Sequence, residues 1–175
     1  MEHLVYQVIK IVRRDMKKVF IIFVLFVIGF HLTGCENLEE ELTNQFITVE
    51  ADDGGKIVIN TEAINSVATF VNYEVDGVII QFIVVRGTDG KVRIAFNICQ
   101  ACNPSSNAYF IQKGEYLECQ NCKNKFHIDK IGEEQGGCNP APVEEKEETD
   151  NQIIISQKYA DSYREKFENW NGPIQ

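Results

Sequence analysis

Cys99, Cys102, Cys119 and Cys122 form the pattern C-x2-C-x16-C-x2-C, and no other feature restricts so narrowly what this 175-residue chain can fold into. Two residues between cysteines let a tight turn aim both sulfurs at one point. Two such knuckles brought together present four thiolates in a tetrahedron, an arrangement that suits zinc or iron. The spacing lies in the range of metal sites. The same residues also fit two structural disulfides, which an oxidising compartment tolerates, and thiol–disulfide exchange at one CxxC. Exchange normally sets its motif at the start of a helix near a βαβ pattern. Here a strand leads in and Asn103-Pro104-Ser105 follows.

The neighbours of the quartet agree with a metal site. Asn103 and Lys123 follow the second cysteine of each knuckle, where backbone amides donate to sulfur. Phe110, Tyr116 and Phe126 are candidates to shield the site from water, which together with amide donors tunes a metal centre. Cys138 lies in Gly136-Gly137-Cys138-Asn139-Pro140-Ala141-Pro142. In that loop glycine allows close backbone approach and proline rigidifies the exit. Cys138 is thus an additional ligand, a cap on the site or a free thiol. His127, five residues after Cys122, reads as a ligand, a partner of a ligand sulfur, or an ordinary strand residue beside Phe126 and Ile128. No Ser-His-Asp set, phosphate loop or paired catalytic carboxylates is evident, so a hydrolytic enzyme has no support.

The first 34 residues read as an address. Arg13, Arg14, Lys17 and Lys18 precede a nearly solid apolar run over residues 19–30. The 12 residues of that run are too few to span a bilayer as a helix, which takes about 20. A basic segment, a short apolar core and small residues together make a secretory signal. Its end, Leu32-Thr33-Gly34-Cys35, resembles the lipobox of bacterial lipoproteins. That resemblance implies cleavage before Cys35, a lipid on its thiol, and a domain held on the extracytoplasmic face of the membrane. Met16 is a natural alternative start. Residues 36–44 (ENLEEELTN) read as an acidic tether. Residues 1–34 hold five Lys/Arg and two Asp/Glu, so the rest carries 12 basic against 24 acidic side chains, a formal charge of −12. Such a surface repels phosphate backbones and excludes a nucleic-acid partner.

Strand signals open at residues 46–50 and 56–61, which bracket the turn cluster Asp52-Asp53-Gly54-Gly55. Residues 68–75 and 78–86 flank Asp76-Gly77, the signature of a type I′ hairpin. Gly87-Thr88-Asp89-Gly90 then leads to residues 91–97, which completes a three-stranded meander ending at Cys99. Residues 108–112 and 116–118 suggest short strands, 143–151 an acidic linker or exposed loop, and 153–155 a last strand. Tyr159, Tyr163, Phe167 and Trp170 fall on one helix face and are expected to pack on the sheet. The expected fold is α+β and mainly β: an antiparallel meander, a cysteine-rich metal-binding segment and a C-terminal helix within one domain, residues 46–175.

In order, Cys99-x-x-Cys102, Cys119-x-x-Cys122, Lys130-Ile131-Gly132 and the loop around Cys138 resemble the FtrD-like membrane iron–sulfur protein domain, over roughly residues 48–170. The resemblance implies a membrane-associated protein with an iron–sulfur cluster or iron, or zinc on the same thiolates. Cys99, Cys102, Cys119 and Cys122 would be the ligands. It further implies electron transfer beside an iron permease or another redox partner in iron uptake, rather than transformation of an organic substrate. The family tends to place Gly after each knuckle, where this chain has Asn103 and Lys123. Members often carry membrane spans ahead of the domain, where this chain shows a signal and lipobox. Two other readings stand beside this one. In the first, a non-enzymatic interaction lipoprotein uses zinc or disulfides only as a staple. In the second, the protein is a thiol–disulfide oxidoreductase.

Overall fold

The computed structural model describes residues 45–174. The expected signal segment and acidic tether, and Cys35 between them, lie outside the described residues. The strands are β1 (Gln45–Val49), β2 (Lys56–Asn60), β3 (Thr69–Val75), β4 (Val78–Arg86), β5 (Val92–Cys99), β6 (Phe110–Lys113), β7 (Tyr116–Cys119), β8 (Lys125–His127), β9 (Pro140–Pro142), β10 (Glu147–Glu148) and β11 (Gln152–Ser156). Two short helices follow, α1 (Gln157–Asp161) and α2 (Arg164–Phe167). The strands form a five-stranded sheet in the order β1-β3-β4-β5-β9 and two three-stranded sheets, β10-β11-β2 and β6-β7-β8. Only the β1–β3 pair is parallel among these ladders.

The meander forms where expected. Asp76 and Gly77, at φ 49° and 76°, make the β3–β4 turn, as the mirror-image turn matched to strand twist requires. The large sheet is buried on both faces, which explains why β4 is an almost unbroken apolar run. Ile80, Phe82 and Val84 point to one side, where they pack with Ile57, Ile59, Ile153 and Ile155 of the β2–β11 pair. Ile83 and Val85 point to the other side, toward Phe70, Ala95, Phe110 and Leu117. The cysteine-bearing β6–β8 sheet covers that second face.

The Asp52 turn also forms. The Asp52 carboxylate accepts from the amides of Gly54 and Lys56 at 2.9 Å each. The strands it joins then separate after a single bridge between Ala51 and Ile57. β1 runs to β3 while β2 pairs with β11. The C-terminal stripe is not one helix: Tyr159 lies in α1, Phe167 in α2, and Tyr163 and Trp170 outside both. Ser156 caps α1 through the Tyr159 amide at 3.2 Å, and the Ser162 hydroxyl donates to the Tyr159 carbonyl at 2.6 Å, a local bond that competes with continued helix. The stripe nevertheless packs as expected: Tyr163 stacks on Phe96 with ring centres 3.9 Å apart, and Phe167 and Trp170 join the core.

Two strands in the cysteine segment carried no periodic signal, β8 and β9. β9 is Pro-Ala-Pro on the edge of the large sheet, the place where residues without a backbone donor are tolerated. Part of the acidic stretch after it is likewise ordered, since Glu147 and Glu148 pair with β11.

A buried polar ladder ties the meander to the cysteine segment. Gln81 donates to Asn72 at 2.7 Å, Asn97 donates to the Gln81 side-chain oxygen at 2.7 Å, and the Phe110 amide donates to Asn97 at 2.7 Å. The Trp170 indole donates to the Asn97 carbonyl at 2.8 Å. Each buried amide here finds partners, so the ladder fixes β3, β4, β5 and β6 in one register rather than destabilising the interior.

Candidate metal centre

Cys99 is the last residue of β5 and Cys119 the last of β7, so two strands deliver the first sulfur of each knuckle. The chain then turns back in both places. In the first knuckle the amides of Cys102 and Asn103 donate to the Cys99 carbonyl at 3.2 and 3.0 Å. In the second the Lys123 amide donates to the Cys119 carbonyl at 2.9 Å. Both turns follow strands and neither opens a helix. The knuckles are held to each other by the Gln120 amide on the Tyr109 carbonyl at 2.7 Å and by Ser105 Oγ on Asn121 Oδ1 at 2.9 Å.

The result brings together the four cysteines of the pattern. Their sulfurs all lie within 4.8 Å of one another, and Cys102 Sγ and Cys119 Sγ, from different knuckles, are 4.0 Å apart. All five cysteines among the described residues are free thiols. Cys99 and Cys119 are fully buried among Ala95, Ala108, Phe110 and Leu117, while Cys102 and Cys122 are half-buried at the rim. The centre thus has a dry inner side and a solvent-facing outer side.

Local electrostatics follow that division. Burial pushes the Cys99 thiol far above the usual range, and its hydrogen bond with Cys102 adds to the effect. Burial also raises Cys119, to about 11, although the amides of Cys122 and Asn121 donate to its sulfur and favour thiolate. At Cys122 burial likewise opposes ionisation. The Asn124 amide and the thiols of Cys119, Cys138 and Cys102 outweigh it and hold the group at about 7. Amides aimed at cysteine sulfur are the ordinary supporting shell of a thiolate-bound metal.

Cys138 and His127 stand outside the four-sulfur group. Cys138 hydrogen-bonds with Cys122, which raises its own thiol. Its loop is docked on the first knuckle: the Ala101 amide donates to the Gly137 carbonyl at 2.9 Å, the Gln100 amide to the Asn139 carbonyl at 3.1 Å, and the Gly136 amide to the Gln100 side chain at 2.9 Å. His127 Nδ1 accepts the Asp129 amide at 3.2 Å and caps the single 3-10 turn Ile128–Lys130. Its ring meets Tyr116 edge-on at 5.2 Å. The expected shield is therefore only partly realised. Phe110 is buried and Phe126 packs edge-on against it, whereas Tyr116 is 44% exposed at the other end of its strand.

The residues after the knuckles differ in conformation. Lys123 adopts φ 63°, the left-handed region that favours glycine. Asn103 is not left-handed, and its side chain donates to the Lys166 carbonyl at 2.8 Å, which fastens the first knuckle to α2. Supporting residues with no motif around them escaped the sequence reading: Asn72, Gln81, Asn97 and the Ser105–Asn121 pair. The one available signal was an amide side chain inside an otherwise apolar strand, since such a group must be paired when buried.

These features define a mainly β protein whose sheets hold four cysteine sulfurs in a site with the chemistry of a metal centre. The FtrD-like family, described as membrane iron–sulfur containing proteins, matches residues 64–167, and the chain belongs to it. Neither the curated proteins nor the solved structures yield a significant match. Among the described residues no helix is long and apolar enough to cross a membrane.

Proposed function

We propose that this protein is a lipid-anchored, extracytoplasmic electron carrier whose centre is held by Cys99, Cys102, Cys119 and Cys122, and that it serves iron uptake by exchanging electrons with a membrane-bound partner. The observation that carries this reading is the convergence of four free thiols at a site dry on one side and open on the other. An iron centre on four thiolates supplies one-electron redox chemistry. The chain's own contribution is positional. β5 and β7 hold the inner thiols rigidly, so a change of charge costs little rearrangement. The rim thiols of Cys102 and Cys122 bring the centre within short reach of a docked partner. Family membership supports the membrane and iron setting, and the lipobox at Cys35 supports the anchor.

The test is anaerobic purification of the full chain, followed by visible absorption during reduction and reoxidation. A colour that bleaches and returns reversibly is the expected result. A colourless protein with bound zinc would overturn electron transfer and favour the stapled interaction lipoprotein, a reading that the placement of Cys99 and Cys119 inside an apolar cluster also supports.

A further inference from the structure

The dimensions of the sulfur cage say what size of centre it accepts. A single ion bound to four thiolates at about 2.3 Å puts the sulfurs of a regular tetrahedron about 3.8 Å apart. An iron–sulfur cluster spreads its thiolates over two or more irons with inorganic sulfide between them. Two such tetrahedra sharing an edge of sulfide put thiolates on different irons about 5.3 Å apart on the same side and about 6.5 Å apart across the cluster. In this protein no pair of the four sulfurs exceeds 4.8 Å. The most informative pair is Cys102 and Cys119, because it crosses between the knuckles. If each knuckle held its own iron, this pair would be among the wide ones, and it is 4.0 Å. Exchanging partners between knuckles does not rescue a cluster, since the 4.8 Å bound covers every pairing.

The surroundings resist any widening of the inner half of the cage. Cys99 and Cys119 are fixed at strand ends within one packed cluster. The knuckles are joined by the Gln120–Tyr109 and Ser105–Asn121 hydrogen bonds. Asn97, two residues before Cys99, holds the Phe110 backbone through both its amide and its carbonyl. Separating the inner sulfurs beyond about 5 Å, as a cluster with one of them on each iron would ask, strains these bonds and opens a core in which Phe110 and Leu117 are fully buried.

We infer that the centre is a single tetrahedrally coordinated metal ion on Cys99, Cys102, Cys119 and Cys122, with no inorganic sulfide, and that the four-thiol site of this chain does not fit an iron–sulfur cluster. The inference rests on the reading of these four cysteines as ligands. It is independent of whether the ion is redox-active, and Cys138 is not among its ligands.

The full chain, purified without oxygen, is assayed for iron, zinc and acid-labile sulfide per polypeptide. It is then stripped, and separate portions are titrated with Co2+ or incubated with excess ferrous iron plus sulfide. The expected result is one metal ion and no sulfide per chain, saturation by one equivalent of Co2+ with the visible bands of tetrahedral cobalt thiolate, and uptake of one iron even when sulfide is supplied. Two or four irons with matching sulfide would overturn the inference while leaving electron transfer intact. One zinc without sulfide would support the single-ion site and overturn electron transfer. A chain that holds no metal tightly under any of these conditions would overturn both.

Discussion

Gly132 shows how one residue can determine whether the cysteine segment docks. It lies at φ 75°, and a Cβ at this position would stand 2.6 Å from the Ile94 carbonyl oxygen of β5. The neighbour is backbone in the middle of the large sheet and cannot swing away. Gly132→Ala is expected to cost about 2–3 kcal/mol, through the close contact and the left-handed conformation together. Urea unfolding of both proteins measures this, and equal midpoints would refute it. The thiols make a second prediction at this scale. Cys99 and Cys119 are held above their usual values by burial, so both are protonated at neutral pH without metal. Binding must expel both protons, along with any still held by Cys102 and Cys122, and affinity therefore rises with pH, by at least about a hundredfold per unit between 6 and 8. Competition with a chelator at two pH values reads the slope, and a pH-independent affinity would sink the assignment of buried ligands. Of the residues in play here, the cysteine quartet and the Ile131-Gly132 pair were visible in the sequence. The role of Gly132 was not, because the carbonyl it must clear belongs to a strand nearly forty positions away.

At the scale of elements, two of the hydrogen bonds that tie the C-terminal segment to the large sheet can be tested one by one. The Tyr73 hydroxyl of β3 donates to Asp161 of α1 at 2.9 Å, and burial, with that acceptor, pushes the phenol up to about 12. A folded-state value above the unfolded 10 favours the protonated phenol. Its contribution is complete below pH 10 and disappears as pH rises toward 12. Tyr73→Phe is expected to lower stability by about 1 kcal/mol at pH 8 and to remove this alkaline component, so that the native protein's advantage is lost between pH 10 and 12. A difference that stays constant with pH would contradict it. The second attachment is the Trp170–Asn97 bond, which joins the stripe to the ladder running through Gln81 and Asn72. Asn97→Ala strands the Gln81 oxygen and the Phe110 amide together, and about 2–4 kcal/mol is expected to be lost. The helical stripe was legible because its period reports one buried face. Its division into α1 and α2 was not, since it goes with the Ser162 hydroxyl bonding the Tyr159 carbonyl and Tyr163 stacking on Phe96. β8 and β9 were invisible for another reason: three residues are too few for any period to register.

For the whole molecule, the two apolar clusters predict unequal dependence on metal. One lies between the large sheet and β2, β11 and the helices and contains no cysteine. The other includes Cys99 and Cys119, with Cys102, Cys122 and Cys138 packed against it. Removing metal should therefore loosen the segment from Cys99 to Cys138 while the meander stays closed. Hydrogen exchange with and without chelator is expected to show lost protection at β6, β7 and β8 and retained protection at β3 and β4. Uniform loss across both clusters would mean that the centre holds up the entire fold. The sequence by itself determined the mainly β class, the meander and its Asp-Gly turn, and the four cysteines as one group. Each is written in local spacing, which a chain carries before it folds. Tertiary structure alone decided that the large sheet is covered on both faces, that β1 joins it in parallel, that Cys138 and His127 stay outside the quartet, and how far apart the four sulfurs sit. Those outcomes depend on which distant surfaces meet, and the separation of two knuckles is set by the packed hairpin between them rather than by the number of residues that link them.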